Sequence, residues 1–177
     1  MTNFTILEYP DPRLRKVAVE IDQVTPEITA LADNMLRTMY DAPGIGLAAT
    51  QVDHHVRLLV ADVSEGRDQP YCLINPEIIA REGEVVNEEG CLSVPEIFAN
   101  VKRSAKITVT ALDKHGTPFE LEAEDLLAIC IQHEMDHLKG ILFVDHLSPL
   151  KRRMIDRRLQ KQRRQGANTA HQRSATL

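Results

Sequence analysis

The sequence predicts an α+β fold with a basic C-terminal segment, and three observations support this prediction. Helix-like and strand-like segments follow one another without the regular alternation of a doubly wound sheet. The chain has 177 residues, of which 43% are hydrophobic, and this suits one globular domain with a sizeable core. Residues 150–177 hold nine of the 21 Lys and Arg residues but only one of the 26 acidic residues. We therefore expect one domain over 1–149. Over 150–177 we expect a basic helix with a disordered tail, either as part of the same domain or as an appendage.

The N-terminal half is predicted to contain one helix followed by two strands. Thr25 is a suitable helix N-cap before Pro26, and apolar residues then recur at helical spacing. Pro43 should end this helix. The segments VRLLVADV from Val56 and YCLINPEII from Tyr71 have the composition of strands.

The C-terminal half is predicted to contain a hairpin and two helices. The segments AKITVTALD and PFELEA flank the turn KHGT, so we expect them to pair as a hairpin. A helix over 126–138 follows, with Glu124 or Asp125 at its start and Gly140 as a candidate C-cap. A last helical pattern begins near Ser148, but the closing segment RQGANTAHQRSATL has no apolar face, and we expect it to be disordered.

The segment GIGLAATQ (residues 44–51) fits a loose form of the dinucleotide-binding fingerprint. That fingerprint requires a strand before its glycines and a helix after them. Here the predicted helix precedes Gly44, and the segment leads into a strand. This reversed order argues against a nucleotide site and leaves a glycine turn as the simple alternative.

The strongest chemical signal is the segment QHEMDH (residues 132–137). On a helix, His133 and His137 share one face, so two imidazoles can bind one cation while Glu134 reaches a water molecule. A helix that carries two histidines by chance is the alternative. Because the segment is predicted to be a buried helix, a metal site is strongly favoured.

Two imidazoles leave a catalytic metal site short of a third protein ligand. One common metalloprotease arrangement places this ligand six residues beyond the second histidine, where the chain has Phe143. Another takes a carboxylate from a downstream helix, but beyond His146 the chain offers only Asp156, in a basic run. Neither arrangement fits this sequence.

Two cysteines compete for the third position. Cys130 precedes His133 by three residues, but its short side chain leans towards the helix N-terminus, away from a cation between the histidines. We expect Cys130 in a pocket wall or in the core. Cys91 lies in EEGCLSVPE, a segment predicted to be irregular, where Gly90 lets the backbone approach another element. This setting favours Cys91 as the ligand.

Three segments together resemble the signature motifs of the peptide deformylase family. They are GIGLAATQ, EGCLS and QHEMDH, in the family's order and at its typical separations. The resemblance covers nearly the whole chain and fades in the last dozen residues. It implies antiparallel β-sheets packed around a central metal-binding HExxH helix, with a long C-terminal helix. It also implies a hydrolase that removes the N-formyl group from the initiator methionine of nascent polypeptides and releases formate.

The resemblance also assigns roles to individual residues. The metal ligands would be Cys91, His133 and His137, and Glu134 would transfer protons. The Gln51 side chain and the Leu92 backbone N–H would stabilise the oxyanion. The peptide would pair with the backbone at Ile45 and Gly46. The methionine side chain would enter an apolar pocket formed by Ile45, Leu126, Ile129, Cys130 and the His133 ring.

Two residues depart from the family's pattern. Asn87 stands where relatives often have an apolar pocket residue, and Phe98 where an arginine near the peptide is common. These differences affect the expected substrate preference and not the expected chemistry.

The ligand types suit zinc, ferrous iron, cobalt or nickel. The resemblance favours Fe²⁺ as the physiological ion, with Zn²⁺, Ni²⁺ or Co²⁺ able to replace it. Three unevenly spaced cysteines and the lack of a long apolar segment predict a cytoplasmic protein without a membrane partner. The segment LKRRMIDRRLQKQRRQ carries eight Lys and Arg residues, which suggests ribosome binding, with a solvated terminal helix as the alternative.

Two other functions compete with a deformylase. A zinc endopeptidase is the interpretation that the HExxH pattern alone would favour. A metal-structured binding module is the second, but such a site normally has four protein ligands, and Glu134 suggests catalysis.

Overall fold

The computed structural model describes the backbone of residues 3–174 and the side chains of residues 3–166. The described helices are α1 (Pro26–Asp41), α2 (Asp125–His137) and α3 (Pro149–Ser174), with short 3-10 turns at Pro12–Arg15, Ala49–Val52 and Phe143–His146. The described strands are β1 (Gly46–Ala48), β2 (Leu58–Ala61), β3 (Tyr71–Glu82), β4 (Val85–Cys91), β5 (Val94–Arg103), β6 (Lys106–Leu112) and β7 (Pro118–Glu124). The α+β prediction is confirmed.

The strands form two antiparallel sheets. The larger sheet has the order β1-β2-β3-β6-β7, and β4 and β5 form a separate hairpin. The predicted hairpin of β6 and β7 is present, and its register runs without a shift from Lys106 opposite Glu124 to Leu112 opposite Pro118. Helix α1 has the predicted N-terminus, with Thr25 as N-cap and a proline in the first turn.

Helix α2 is buried along most of its length. One of its faces packs in an apolar cluster with residues of the larger sheet, among them Leu59, Leu73 and Val109. This cluster holds Ala128, Ile131 and Met135 of the helix. Because that face packs on the larger sheet, the side chains at 130, 133, 134 and 137 lie on the opposite side of the helix, towards β4.

A glycine ends the turn after α2. Gly140 has a φ of +72°, and a Cβ atom there would lie 2.5 Å from the backbone oxygen of Arg15. The predicted helix end is therefore close to the observed one, with Leu138 as the C-cap and Gly140 two residues beyond it.

The segment EEGCLSVPE is more regular than expected. Cys91 is the last residue of β4 and Val94 is the first of β5, and the register shifts between Glu89 and Cys91. Glycine and glutamate are poor strand formers, so the local sequence predicts irregular structure. Pairing with β5, which no local pattern reveals, makes this segment a strand.

The chain comprises two compact units, Met1–Phe143 and Val144–Leu177. In the second unit the backbone of α3 is described as helix over Pro149–Ser174, and residues 175–177 lie outside the described part. Arginine, glutamine and alanine in this segment favour helix even without an apolar face. Among the described residues, no helix has the length and apolar character that crossing a bilayer requires.

Candidate active site

One thiol and two imidazoles converge between β4 and α2. The potential ligand atoms of Cys91, His133 and His137 all lie within 4.8 Å of one another. The Sγ atom of Cys91 is 3.3 Å from Nε2 of His137, and the two imidazole rings have centroids 5.0 Å apart. The structure therefore brings together the three side chains that were predicted to bind a metal ion.

The sulfur of Cys91 faces hydrogen-bond donors. The backbone N–H of Ser93 donates to Sγ at 3.4 Å, and the side-chain amide of Gln51 donates to it at 3.7 Å. These two hydrogen bonds hold the sulfur at the end of β4, where it faces Nε2 of His137.

A buried ion-pair network orients His133. Its Nδ1 atom lies 2.8 Å from Glu89, and Glu89 in turn accepts hydrogen bonds of 2.7 and 3.0 Å from Arg103. Arg103 also donates to Asp136 at 2.6 Å. Burial raises the pKa of Glu89, but the hydrogen bonds from His133 and Arg103 outweigh it and lower this pKa to about 2. The ionised carboxylate accepts from Nδ1, so Nε2 of His133 is the atom left for a metal.

The two histidines differ in their electrostatic surroundings. Burial lowers the pKa of His137 well below its ordinary value, which keeps the imidazole neutral and able to bind a cation. Burial also lowers the pKa of His133, but hydrogen bonds to Cys91 and Glu89 outweigh it and raise that pKa. His133 is therefore the ring whose neighbours favour positive charge, whether that of a proton or of a bound cation.

Glu134 is buried beside the cluster with one oxygen unsatisfied. Its Oε2 atom has no hydrogen-bond partner in the described part of the chain, and burial raises its pKa to about 7. Buried polar atoms rarely lack partners, so such an atom indicates a missing solvent molecule or ion. Together with one thiolate and two imidazoles, this oxygen fits a divalent transition metal with a water molecule beside it.

The backbone of β1 approaches Glu134 closely at Gly46. A Cβ atom at this position would lie 2.6 Å from Oε1 of Glu134 and 2.7 Å from Sγ of Cys130. Glycine is therefore required here by the close approach of β1 to α2. The glycine segment serves this packing, which agrees with the prediction against a nucleotide site.

The side-chain amide of Gln51 is held in one orientation. Its Oε1 atom accepts a hydrogen bond of 2.8 Å from the backbone N–H of Ala48, and its Nε2 atom donates to Ser93 at 3.0 Å. The residue is 1% exposed. The amide N–H₂ group thus faces the cluster, where it can donate to a negatively charged oxygen.

A cavity of about 450 Å³ opens beside the cluster. It is lined by every residue that was predicted to bind substrate, namely Ile45, Gly46, Leu126, Ile129 and Cys130. Gln51, Cys91, Leu92, His133 and Glu134 also line it. An apolar cavity with a few convergent polar groups is typical of a small-ligand site.

Cys130 lies in the cavity wall and outside the ligand cluster. Its thiol donates to the backbone oxygen of Ile45 at 3.4 Å, and burial raises its pKa well above the ordinary value. A thiol that stays protonated is a poor metal ligand. The observed position matches the pocket-wall role predicted for Cys130.

Sequence reasoning missed the residues that support His133. Glu89, Arg103 and Asp136 lie far apart in the chain, and their side chains meet only when β4, β5 and α2 pack together. In the sequence they resemble ordinary surface charges. The only local hint is that Glu89 precedes the candidate ligand Cys91 by two residues.

The comparisons with known proteins agree over most of the chain. A family model described as polypeptide deformylase matches residues 4–153. Peptide deformylase 2 of Xanthomonas campestris is 59% identical over 167 residues, which cover 93% of this chain and 98% of the relative. The peptide deformylase of Tolumonas auensis is 57% identical, with 91% and 96% covered.

Solved structures of similar proteins share this fold. A peptide deformylase from Legionella pneumophila superposes with a TM-score of 0.89 at 48% identity, covering 94% of this chain and 98% of the other. A peptide deformylase from Ehrlichia chaffeensis in complex with actinonin has a TM-score of 0.87 at 39% identity, with 92% and 98% covered.

Proposed function

The chain belongs to the polypeptide deformylase family, and from this premise we propose that it hydrolyses the N-formyl group of the initiator methionine on nascent polypeptides, releasing formate. The observation that carries the site assignment is the cluster of Cys91, His133 and His137 beside a buried Glu134 at the wall of an apolar cavity. The relatives are named deformylases, so a zinc endopeptidase is not favoured.

Cys91, His133 and His137 would hold one divalent cation. When bound, this ion would lower the pKa of a water molecule towards neutrality and polarise the formyl carbonyl. One thiolate and two imidazoles suit several metals, and we propose Fe²⁺ as the physiological ion, with Zn²⁺, Ni²⁺ or Co²⁺ able to replace it. The Glu89 carboxylate keeps Nδ1 of His133 protonated and its ring in place.

Glu134 is the proposed general base and acid. It accepts a proton from the attacking water and later delivers that proton to the amine that leaves as the new N-terminus. Its position supports this role, because it is buried, lines the cavity and has an unsatisfied oxygen among the described residues. The backbone of β1 at Gly46 packs closely against its carboxylate.

Gln51 and Leu92 are the proposed oxyanion donors. Attack on the formyl carbon places negative charge on its oxygen, and donors already aimed at that oxygen lower the barrier. The hydrogen bond from Ala48 fixes Gln51 with its N–H₂ group towards the cluster. Leu92 follows Cys91 in the turn and lines the cavity, which supports its backbone N–H as the second donor.

Replacing Gln51 by alanine is expected to lower kcat about a hundredfold while the metal content stays near one per chain. One oxyanion donor usually contributes a factor of this size. Formate release under saturating peptide measures the effect. The side chain also donates to Cys91 and Ser93. A parallel loss of metal would therefore show that Gln51 supports the ligand and not the oxyanion.

The substrate is proposed to bind along the cavity. Its methionine side chain would enter the apolar part formed by Leu126, Ile129 and Cys130, and its backbone would pair with the chain at Ile45 and Gly46. Backbone pairing does not depend on side chains, which suits an enzyme whose substrates differ beyond the first residue.

A peptide assay separates this function from an endopeptidase. We expect a formyl-methionyl tripeptide to release formate, while the acetylated and the unmodified tripeptides stay intact. Cleavage of an internal peptide bond in any of the three would favour the endopeptidase.

Helix α3 is the proposed ribosome-binding element. Eight Lys and Arg residues lie within 150–165, whereas residues 1–149 hold 25 of the 26 acidic residues. Contacts of Lys and Arg with phosphate give salt-dependent binding with little sequence preference. A site near the ribosome would bring the enzyme to nascent chains, and we propose that it works in the cytoplasm. In this proposal residues 1–149 form the catalytic domain.

Neutralising four arginines of α3 is expected to abolish cosedimentation with ribosomes at low salt. The variant carries glutamine at Arg152, Arg153, Arg157 and Arg158, and glutamine keeps the helical propensity of the segment. Hydrolysis of a short formyl peptide should be nearly unchanged in this variant and in a chain ending at residue 149. If the variant sediments with ribosomes as well as the unmodified chain does, α3 is a structural helix only.

A further inference from the structure

An aromatic side chain stands exposed at the mouth of the cavity. Phe98 on β5 lines the cavity and is 67% exposed, which is high for a phenylalanine. Its ring lies against the backbone of β4, because a Cβ atom at Gly90 would be 2.6 Å from Cε1 of the ring. The strand thus supports the ring from one side, while much of its surface faces solvent.

The charged groups around this ring are acidic. Among the described residues, no lysine or arginine lines the cavity, whereas four glutamates do, at positions 88, 89, 96 and 134. Glu89 and Glu134 are buried, and Glu88 and Glu96 are exposed. Glu88 pairs with Asn100 across the hairpin, and Asn100 is two residues from Phe98 on β5, so Glu88 and Phe98 lie on the same face of the hairpin.

We propose that Phe98 and Glu88 select substrates by the charge of the residues that follow formylmethionine, favouring Lys and Arg and disfavouring Asp and Glu. The proposal rests on the function proposed above. With the methionine side chain in the apolar part of the cavity, the rest of the peptide leaves through the mouth. There the face of an aromatic ring attracts a cation. The Glu88 carboxylate attracts the same cation and repels an acidic side chain.

The test compares three blocked peptides that differ only in charge. They have formylmethionine followed by two identical residues, either lysine, norleucine or glutamate, with an amidated C-terminus. Interactions at exposed sites are individually weak, so we expect kcat/KM for the lysine peptide to exceed that for the glutamate peptide about tenfold at low salt. Added salt should reduce this ratio because it screens exposed charges.

Variants identify the groups that cause the preference. Phe98→Ala and Glu88→Gln should each lower the ratio to about threefold, and Phe98→Arg should reverse the preference. Val86→Ala is the matched control, because Val86 is another exposed apolar residue of the β4–β5 hairpin but does not line the cavity. Its ratio should equal that of the unmodified chain.

Two results would overturn the proposal. One is equal kcat/KM for the lysine and glutamate peptides in the unmodified chain. The other is an unchanged ratio in both Phe98→Ala and Glu88→Gln. Both results leave deformylation intact and so differ from failure of the proposed function, which would show as no formate from any of the three peptides.

Discussion

Replacing Glu134 by alanine is expected to lower kcat at least about a thousandfold without removing the metal. General acid–base catalysis contributes about 10²–10⁴-fold, and here one carboxylate would both accept the water proton and protonate the amine. Glu134 is not one of the three clustered ligand side chains, so the site should still bind its ion. Formate release and metal content, measured on the same sample, check both parts.

Two further variants control for this change. Glu134→Gln keeps the shape of the side chain beside Gly46 and should be nearly as inactive, because an amide cannot take the proton. Glu120→Gln neutralises an exposed carboxylate on β7 and should keep full activity. Near-normal turnover in Glu134→Ala would contradict the proposed mechanism.

Replacing Cys91 by alanine is expected to remove most of the bound metal and, with it, nearly all activity. The two remaining imidazoles leave the site one ligand short of the usual three. The measurement is metal per folded chain after dialysis, together with formate release. Adding excess metal to the variant should restore little activity, because alanine offers the ion no ligand atom in place of Sγ. Gln51 and Ser93, which donate to Sγ, cannot replace it.

Cys130→Ala is the matched control for Cys91. It removes the same atoms from the same cavity, but its thiol contacts the backbone oxygen of Ile45 and lies outside the ligand cluster. We expect it to keep the metal, with at most a moderate change in KM because the pocket wall is altered. Equal metal loss in the two variants would show that the ligands have been assigned wrongly.

Features set by neighbouring residues were predictable from the sequence. The start of α1 follows from Thr25 and Pro26, and the β6–β7 hairpin follows from its alternating pattern and turn. The relation of His133 to His137 is equally local, because a helix fixes the geometry of residues four apart. Each of these features depends only on residues that are close together in the sequence.

Features set by distant pairing were not predictable in the same way. The strands β4 and β5 stabilise each other, and the local composition around Gly90 gives no sign of a strand. The buried carboxylate of Glu89 is paired with Arg103, which lies at the end of β5. Cys91 was favoured as a ligand by elimination and by family resemblance, since no spacing rule links it to α2. The β4–β5 pairing, the Glu89 ion pair and the position of Cys91 all depend on contacts between residues that are far apart in the sequence.

In the proposed function, the cluster of Cys91, His133 and His137 beside Glu134 hydrolyses a formyl group and no other bond of the peptide. The most direct measurement is a mass balance on a formyl-methionyl tripeptide incubated with the full chain and one equivalent of divalent metal. We predict one formate and one free methionine amine for each peptide consumed, with every peptide bond intact. Internal fragments, or loss of peptide without formate, would contradict the claim.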